Sequence, residues 1–201
     1  MREKQREETR RRLYLAALEV FRQDGLAGCR IDDIAQKAEV SRAAFYFHFP
    51  TKEHVLIDFL AESEAPALKR LDALPDGATF EQLLTTCAEG LAEFWQKEPK
   101  LLVDALTTYI KVTAVLEDRD SGAVRGFMAK RFRELAGRGE LVTTVPPEVL
   151  SDFFISYMLV ALISWAGTPN LPLDATLKAS MQLFLQGARP STPMAGGPKK
   201  K

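Results

Sequence analysis

Residues 31–52 read IDDIAQKAEVSRAAFYFHFPTK, and the spacing within them sets the frame for the rest of the chain. Ile34, Ala35 and Ala38 form an apolar stripe that suits one face of a short helix. Glu39-Val40-Ser41 breaks that pattern. Ser41 suits the N-cap of a second helix, its hydroxyl accepting from the N–H of Ala43 or Ala44. This second helix carries Arg42 to His48, and Pro50-Thr51 restarts the chain into a third. Ala35 allows close helix approach, Val40 can plug the corner, and Phe45 and Phe49 can turn to the core. Arg42, Ala43, Tyr46, Phe47 and His48 are left facing outward, a set suited to a DNA groove. The spacing is that of a helix-turn-helix.

Upstream, Leu13, Ala16, Ala17, Val20 and Phe21 recur at helical spacing and supply the layer on which the two motif helices rest. Thr9 is the predicted cap and Asp24-Gly25 the predicted stop, with Leu26 to Arg30 a short loop. Residues 1–8 read as a basic flexible arm. Together with Arg10-Arg11-Arg12, Arg2, Lys4 and Arg6 suit DNA phosphates or the minor groove. The unit spanning 9–55 is too small to bury much surface alone, so it should lean on the helices C-terminal to it.

Downstream, Thr51 is the predicted cap of a helix beginning at Lys52. Pro66 marks either a kink in that helix or its end at Ser63–Glu64. Leu74-Pro75-Asp76-Gly77 is a turn. Helices are then expected over 79–97, 100–118, 121–138, 147–167 and 173–187. Thr79 and Gln82 suit a capping box, and Pro147 a first helical position. No strand alternation occurs. The expected fold is all-α, about nine helices, with a regulatory body over 56–188. The Pro/Gly-rich basic stretch 189–201 reads as a disordered tail.

Composition narrows the function. The formal charge of zero hides an asymmetry: residues 1–55 hold 11 Lys/Arg against 9 Asp/Glu, and 56–188 hold 12 against 18. A basic head on an acidic body fits nucleic acid at one end only. Two cysteines give neither a disulfide framework nor metal spacing and suit a reducing cytoplasm. The N-terminus has no apolar signal segment. The longest apolar run is about 14 residues against roughly 20 for a span, so a buried helix is expected and no membrane. Both histidines, His48 and His54, lie in or beside the head, which leaves the body without a His base or ligand. No Gly-rich phosphate loop, metal triad or nucleophile elbow occurs, so neither an enzyme nor a cofactor is expected.

The body is rich in aromatics. Phe94, Trp95, Tyr109, Phe127, Phe154, Tyr157 and Trp165, with flexible Met158, either fill a core or line an apolar cavity with a few polar tips. The helix over 147–167 is apolar on several faces, and the last helix presents Leu173, Leu177, Met181, Phe184 and Leu185. A second subunit is the natural cover for both.

Several spaced residues in the head resemble the TetR family of bacterial repressors. They are Arg12, Ala16, Ala17, Phe21 and Gly25 in the first helix, Asp33 to Ser41 in the motif, and Tyr46, His48, Lys52 and Leu56 after it. Two positions depart from the family pattern, Arg30 for the usual Thr or Ser and Glu39 for a frequent Gly. Glu39 in a left-handed turn costs about a kcal/mol relative to Gly. The resemblance implies DNA contacts from Arg30, Ser41, Arg42, Ala43, Ala44, Tyr46, Phe47, His48 and Lys52. Arg42 would reach a guanine edge or phosphate, and Phe47 either thymine methyls or Tyr46 and the helix end; Tyr46, His48 and Lys52 would hold phosphates. It implies an inducer cavity among the body helices. It also implies a four-helix dimer interface including Phe153, Leu159, Leu162, Ile163, Leu177, Met181, Phe184 and Leu185. The expected function is a homodimeric cytoplasmic repressor on double-stranded DNA with a near-palindromic operator, released by a small apolar or aromatic ligand. Two alternatives stand beside it: an activator or ligand-independent repressor of the same fold, and a helical binding protein that does not read DNA.

Overall fold

Leu13, Ala17 and Phe21 follow one another at helical intervals and are fully buried, so the first helix shows one continuous face to the rest of the head. In the computed structural model, which describes residues 2–115, 122–141, 144–167 and 171–188, this helix is α1, Arg2–Gly28. It starts at Arg2, before Thr9. The expected flexible arm is instead the first turns of α1, and the Thr9 hydroxyl donates to the Gln5 carbonyl (2.9 Å) rather than capping. Gly25 interrupts α1 as expected, at φ 71° and ψ 166°, and a last turn follows, closed by Cys29 N–H on the Gly25 carbonyl.

Helix α2 (Ile31–Lys37) packs on α1, and α3 (Arg42–His48) packs on α2. Ile34, Phe45 and Phe49 are buried beneath them, and Val40 is partly buried at the corner. Glu39 takes the left-handed conformation, φ 54°. Ser41 caps α3 by accepting from Ala44 N–H at 3.1 Å.

Helix α4 (Lys52–Asp72) starts without its expected cap, because the Thr51 hydroxyl pairs with His54 Nδ1 at 3.1 Å. It runs through Pro66 without ending at Ser63–Glu64. Immediately after that proline it meets α5 (Phe80–Trp95) at very short range: a Cβ on Gly90 would lie 2.3 Å from Ala67 Cα. The Pro75 turn and the Thr79–Gln82 capping box form as read.

Four further helices complete the body: α6 (Pro99–Val115), α7 (Ala123–Gly137), α8 (Pro147–Gly167) and α9 (Leu173–Ala188). Among the described residues there are nine helices and no strand. The body packs α4 along α5, α7 along α8, and α9 across α5 and α8, with α6 bridging α4, α8 and α1. Helix α8 is the one described helix with the length and composition of a membrane span, and its buried side packs into the bundle. The tail at 189–201 and the ends expected for the helices at 118 and 121 lie outside the described residues. Cys29 and Cys87 are buried free thiols, pushed up to about 11 and about 12 by burial, as befits small core residues.

Candidate nucleic-acid interface and ligand cavity

On α3 the core-facing ring of Phe45 fixes the rotation of a seven-residue helix, so the residues between its turns must face outward. Phe47 is 69 % exposed and Tyr46 44 % exposed, and Arg42 and Ala43 lie open beside them. Arg42 sits one turn before Tyr46. Its guanidinium donates to the Tyr46 hydroxyl (3.4 Å) and to the Asp32 carboxylate on α2 (3.3 and 3.4 Å). Arg30 reaches the same carboxylate at 3.9 Å. Asp32 thus pre-positions two arginines at the mouth of a cleft between α2, α3 and the start of α4. Arg30 occupies the N-cap of α2 without making a cap bond. Asp32, in the first turn of α2, serves the arginines.

Arg6, read from the sequence as part of a basic arm, joins this face from a helix instead. Because α1 extends back to Arg2, the Arg6 guanidinium comes over the Phe47 ring at 5.4 Å, and Arg10 over Phe49 at 4.8 Å. His48 meets Phe47 edge-on and is half-buried; burial, then Arg6 and Arg10, hold its imidazole below the usual value. Ser41 and half-buried Ala44 frame the N-terminus of α3. Lys52 departs from expectation. Its ammonium turns inward and donates to the carbonyls of Leu26 (2.5 Å) and Cys29 (3.2 Å), closing the end of α1.

Three sets of contacts anchor this head. Arg10 pairs with Asp58, and one turn later in both helices the Tyr14 hydroxyl donates to Glu62 at 2.7 Å. Burial and that carboxylate push the Tyr14 phenol upward. At the far end of α1, Arg22 grips Glu98 with two bonds (2.9 and 2.7 Å). The break at Gly25 frees Leu26 N–H to donate to Asp104 on α6 at 2.7 Å.

In the body, a cavity of about 340 Å³ opens between α4, α5, α6, α7 and α8. Helix α4 supplies Leu60, Ser63 and Glu64, and α5 supplies Leu91 and Trp95. Leu106 and Tyr109 come from α6, Val124 from α7, and Met158, Leu159 and Leu162 from α8. Of the expected lining residues, the structure brings Trp95, Tyr109 and Met158 together. The other five stand elsewhere. Phe154 is fully buried between Phe132 and Phe184, and Tyr157 lies on Phe184. Phe94 lies tilted on Phe59 and meets Trp95 edge-on, Phe127 packs on the core, and Trp165 donates its indole N–H to the Leu171 carbonyl at 2.8 Å. Ring size alone does not show which way a ring points.

The expected dimer residues also divide. Leu162, Leu177, Met181 and Leu185 are buried within the chain's own bundle, and Leu159 turns to the cavity; Phe184 is half-buried against Phe154 and Tyr157. Exposed instead are Phe153 (56 %), Val160 (59 %) and Ile163 on α8, and Leu183 (63 %) on α9. Phe153 and Val160 lie seven residues apart on one side of α8, the spacing of a helix-packing seam.

Residues 13–58 match the family model of bacterial regulatory proteins of the tetR family. Over 183 residues the chain is 46 % identical to the HTH-type transcriptional regulator SrpR of Pseudomonas putida, covering 89 % of this chain and 70 % of that protein. Among solved structures it resembles Thermus thermophilus FadR, a TetR-family transcriptional repressor in complex with lauroyl-CoA. That match has TM-score 0.70 and 26 % identity over 94 % of this chain and all of that one. Bacillus subtilis FadR with stearoyl-CoA shares the fold at TM-score 0.69 and 16 % identity, over 89 % of this chain and 98 % of that one.

Proposed function

Because this chain belongs to the tetR family of bacterial regulatory proteins, we propose that it is a homodimeric cytoplasmic repressor, released from a near-palindromic operator by a small apolar ligand. The observation that carries this reading is the double role of α4. Its N-cap and first residues, Thr51 to Glu53, form one wall of the Arg30–Arg42–Tyr46 cleft, while Leu60, Ser63 and Glu64, two to three turns on, line the cavity. A ligand that moves α4 therefore moves the head, and a coupling of about 1–3 kcal/mol suffices for release.

On DNA, Arg42 parts from Asp32 to take a guanine edge or a phosphate, and Ala43 lets the helix approach the groove floor. Phe47, with Arg6 across its ring, contacts thymine methyls. Tyr46 and His48 hold phosphates, as does Arg30. The second subunit covers Phe153, Val160, Ile163 and Leu183, and a two-fold dimer spaces two α3 helices about one DNA turn apart, roughly 34–36 Å.

The apolar lining suits an acyl chain of the kind carried by the FadR ligands, though Glu64 introduces a charge of the opposite preference to theirs. Sedimentation equilibrium tests the assembly. The wild type should run as a dimer, and Val160→Glu with Ile163→Glu as a folded monomer that no longer shifts DNA. A double variant that stays dimeric and binds DNA normally would overturn this interface.

A further inference from the structure

Among the described residues that line the α4–α8 cavity, one carries a charge: Glu64. The remaining surface is almost entirely carbon, broken by the tips of Ser63 and Tyr109. The Ser63 hydroxyl is already committed, donating to the Leu60 carbonyl at 2.7 Å.

Among the described residues Glu64 has no ion-pair partner. Its carboxylate crosses the cavity wall to the start of α7 and accepts from the N–H groups of Ala123 (2.8 Å) and Val124 (3.3 Å). Both bonds go to Oε2. Oε1 accepts none among the described residues and lies 3.3 Å from where a Cβ on Gly122 would stand, at the cavity edge. The two amides stabilise the charge only in part, since burial outweighs them and raises the proton affinity of the group. Nearby, Arg125 on α7 pairs with Asp152 on α8. The described ionic groups acting on Tyr109 are therefore two carboxylates, Glu64 and Asp152, against one guanidinium.

A half-buried carboxylate with one oxygen still open, in an apolar chamber whose described charge balance is negative, is a receptor for one kind of polar handle. On the reading of this cavity as the inducer site, we infer that Glu64 selects a lipophilic amine: an apolar body against Trp95, Leu106 and Met158, with a protonated nitrogen on Glu64 Oε1. An anionic amphiphile is disfavoured at the same place. The position of Glu64 also gives the ligand a purchase on two elements together, because it belongs to α4 and its other oxygen holds the first turn of α7. A cation on Oε1 draws the carboxylate from the α7 amides, which loosens the α4–α7 contact beside the helix that carries the head.

The test titrates the full-length protein with three probes of one shape, 4-phenylbutylamine, 4-phenylbutanol and 4-phenylbutyrate, following at neutral pH the tryptophan emission to which Trp95 in the cavity wall contributes. The amine should bind at least about tenfold more tightly than the alcohol, the size of one charge-assisted hydrogen bond, and the carboxylate most weakly. Glu64→Gln, which keeps an acceptor for Ala123 and Val124, should bring the amine down to the alcohol and leave the alcohol unchanged. If the carboxylate equals the amine, or the amine keeps its advantage in Glu64→Gln, Glu64 is not the selector and the inference fails while the cavity stands. If none of the three binds, the inducer-site reading falls with it. The wild-type ranking decides the matter even if Glu64→Gln does not fold.

Discussion

The exposed side of α3 draws on seven consecutive residues, whereas the cavity draws its lining from five helices spread between Ile57 and Leu162. The first surface is local: once Phe45 is buried, helix geometry places Arg42, Tyr46 and Phe47 outside. The second is made by packing, and many of its residues, such as Trp95, Leu106 and Met158, serve the core as well as the cavity. The two regions should therefore answer substitution differently. Head residues are expected to change function with little change in stability, and body residues to change both.

The largest effect should come from the body. Gly90→Val places a side chain into the Ala67 backbone of α4, where even a Cβ has no room. A cost of about 3 kcal/mol is expected, which calorimetry would read as a Tm lowered by about 6–12 °C. A variant that melts with the wild type would show that α4 and α5 do not approach so closely. Next is Arg42→Ala. It should lower operator affinity by about 10- to 100-fold in anisotropy titrations, with an unchanged melting curve, because exposed pairs such as Arg42–Asp32 contribute little.

Phe47→Ala sharpens the same contrast. Its ring is largely exposed, so stability should stay within about 0.5 kcal/mol, while discrimination between thymine and cytosine at one operator position weakens in a base-substitution series. Equal discrimination would mean that Phe47 faces Arg6 and His48 only.

The smallest effect is a pH dependence at His48. Its imidazole is held low, chiefly by burial, so through the window at and below pH 6.5 the unfolded chain binds more protons than the folded one. This contribution to folding is complete at higher pH and is lost as pH falls through that window. Phosphate acts in the opposite sense, favouring the charged ring. Operator affinity should accordingly rise as pH is lowered from 7.5 to 6, and His48→Gln should flatten that slope.

This division also explains what could be read from residues alone. Ile34, Phe45 and Phe49 in the core, the Ser41 cap, the left-handed Glu39 and the Thr79–Gln82 box are short-range features, and each is present. The N-terminal extension of α1 is not legible, since Thr9 is as able to bond back to Gln5 as to cap. Lys52 reads as a phosphate ligand because the carbonyls at the end of α1 come near it only through the fold. In the body, Leu177 and Met181 share their periodicity with true surface positions, and only the packing of α9 on α5 and α8 buries them. Glu64 carries no signal beyond a carboxylate beside a proline two residues on; its meaning comes from α7, about sixty residues away.

Specific DNA binding by the exposed side of α3 is the central claim. Labelled DNA from upstream of the protein's own gene, titrated by anisotropy at several salt concentrations, measures this directly. Two protomers should bind per near-palindromic site, with affinity falling steeply as salt rises, and Arg42→Ala with Tyr46→Phe should abolish the specific component while the protein remains folded and dimeric. Salt-insensitive binding, or an unchanged affinity in that double variant, would contradict it.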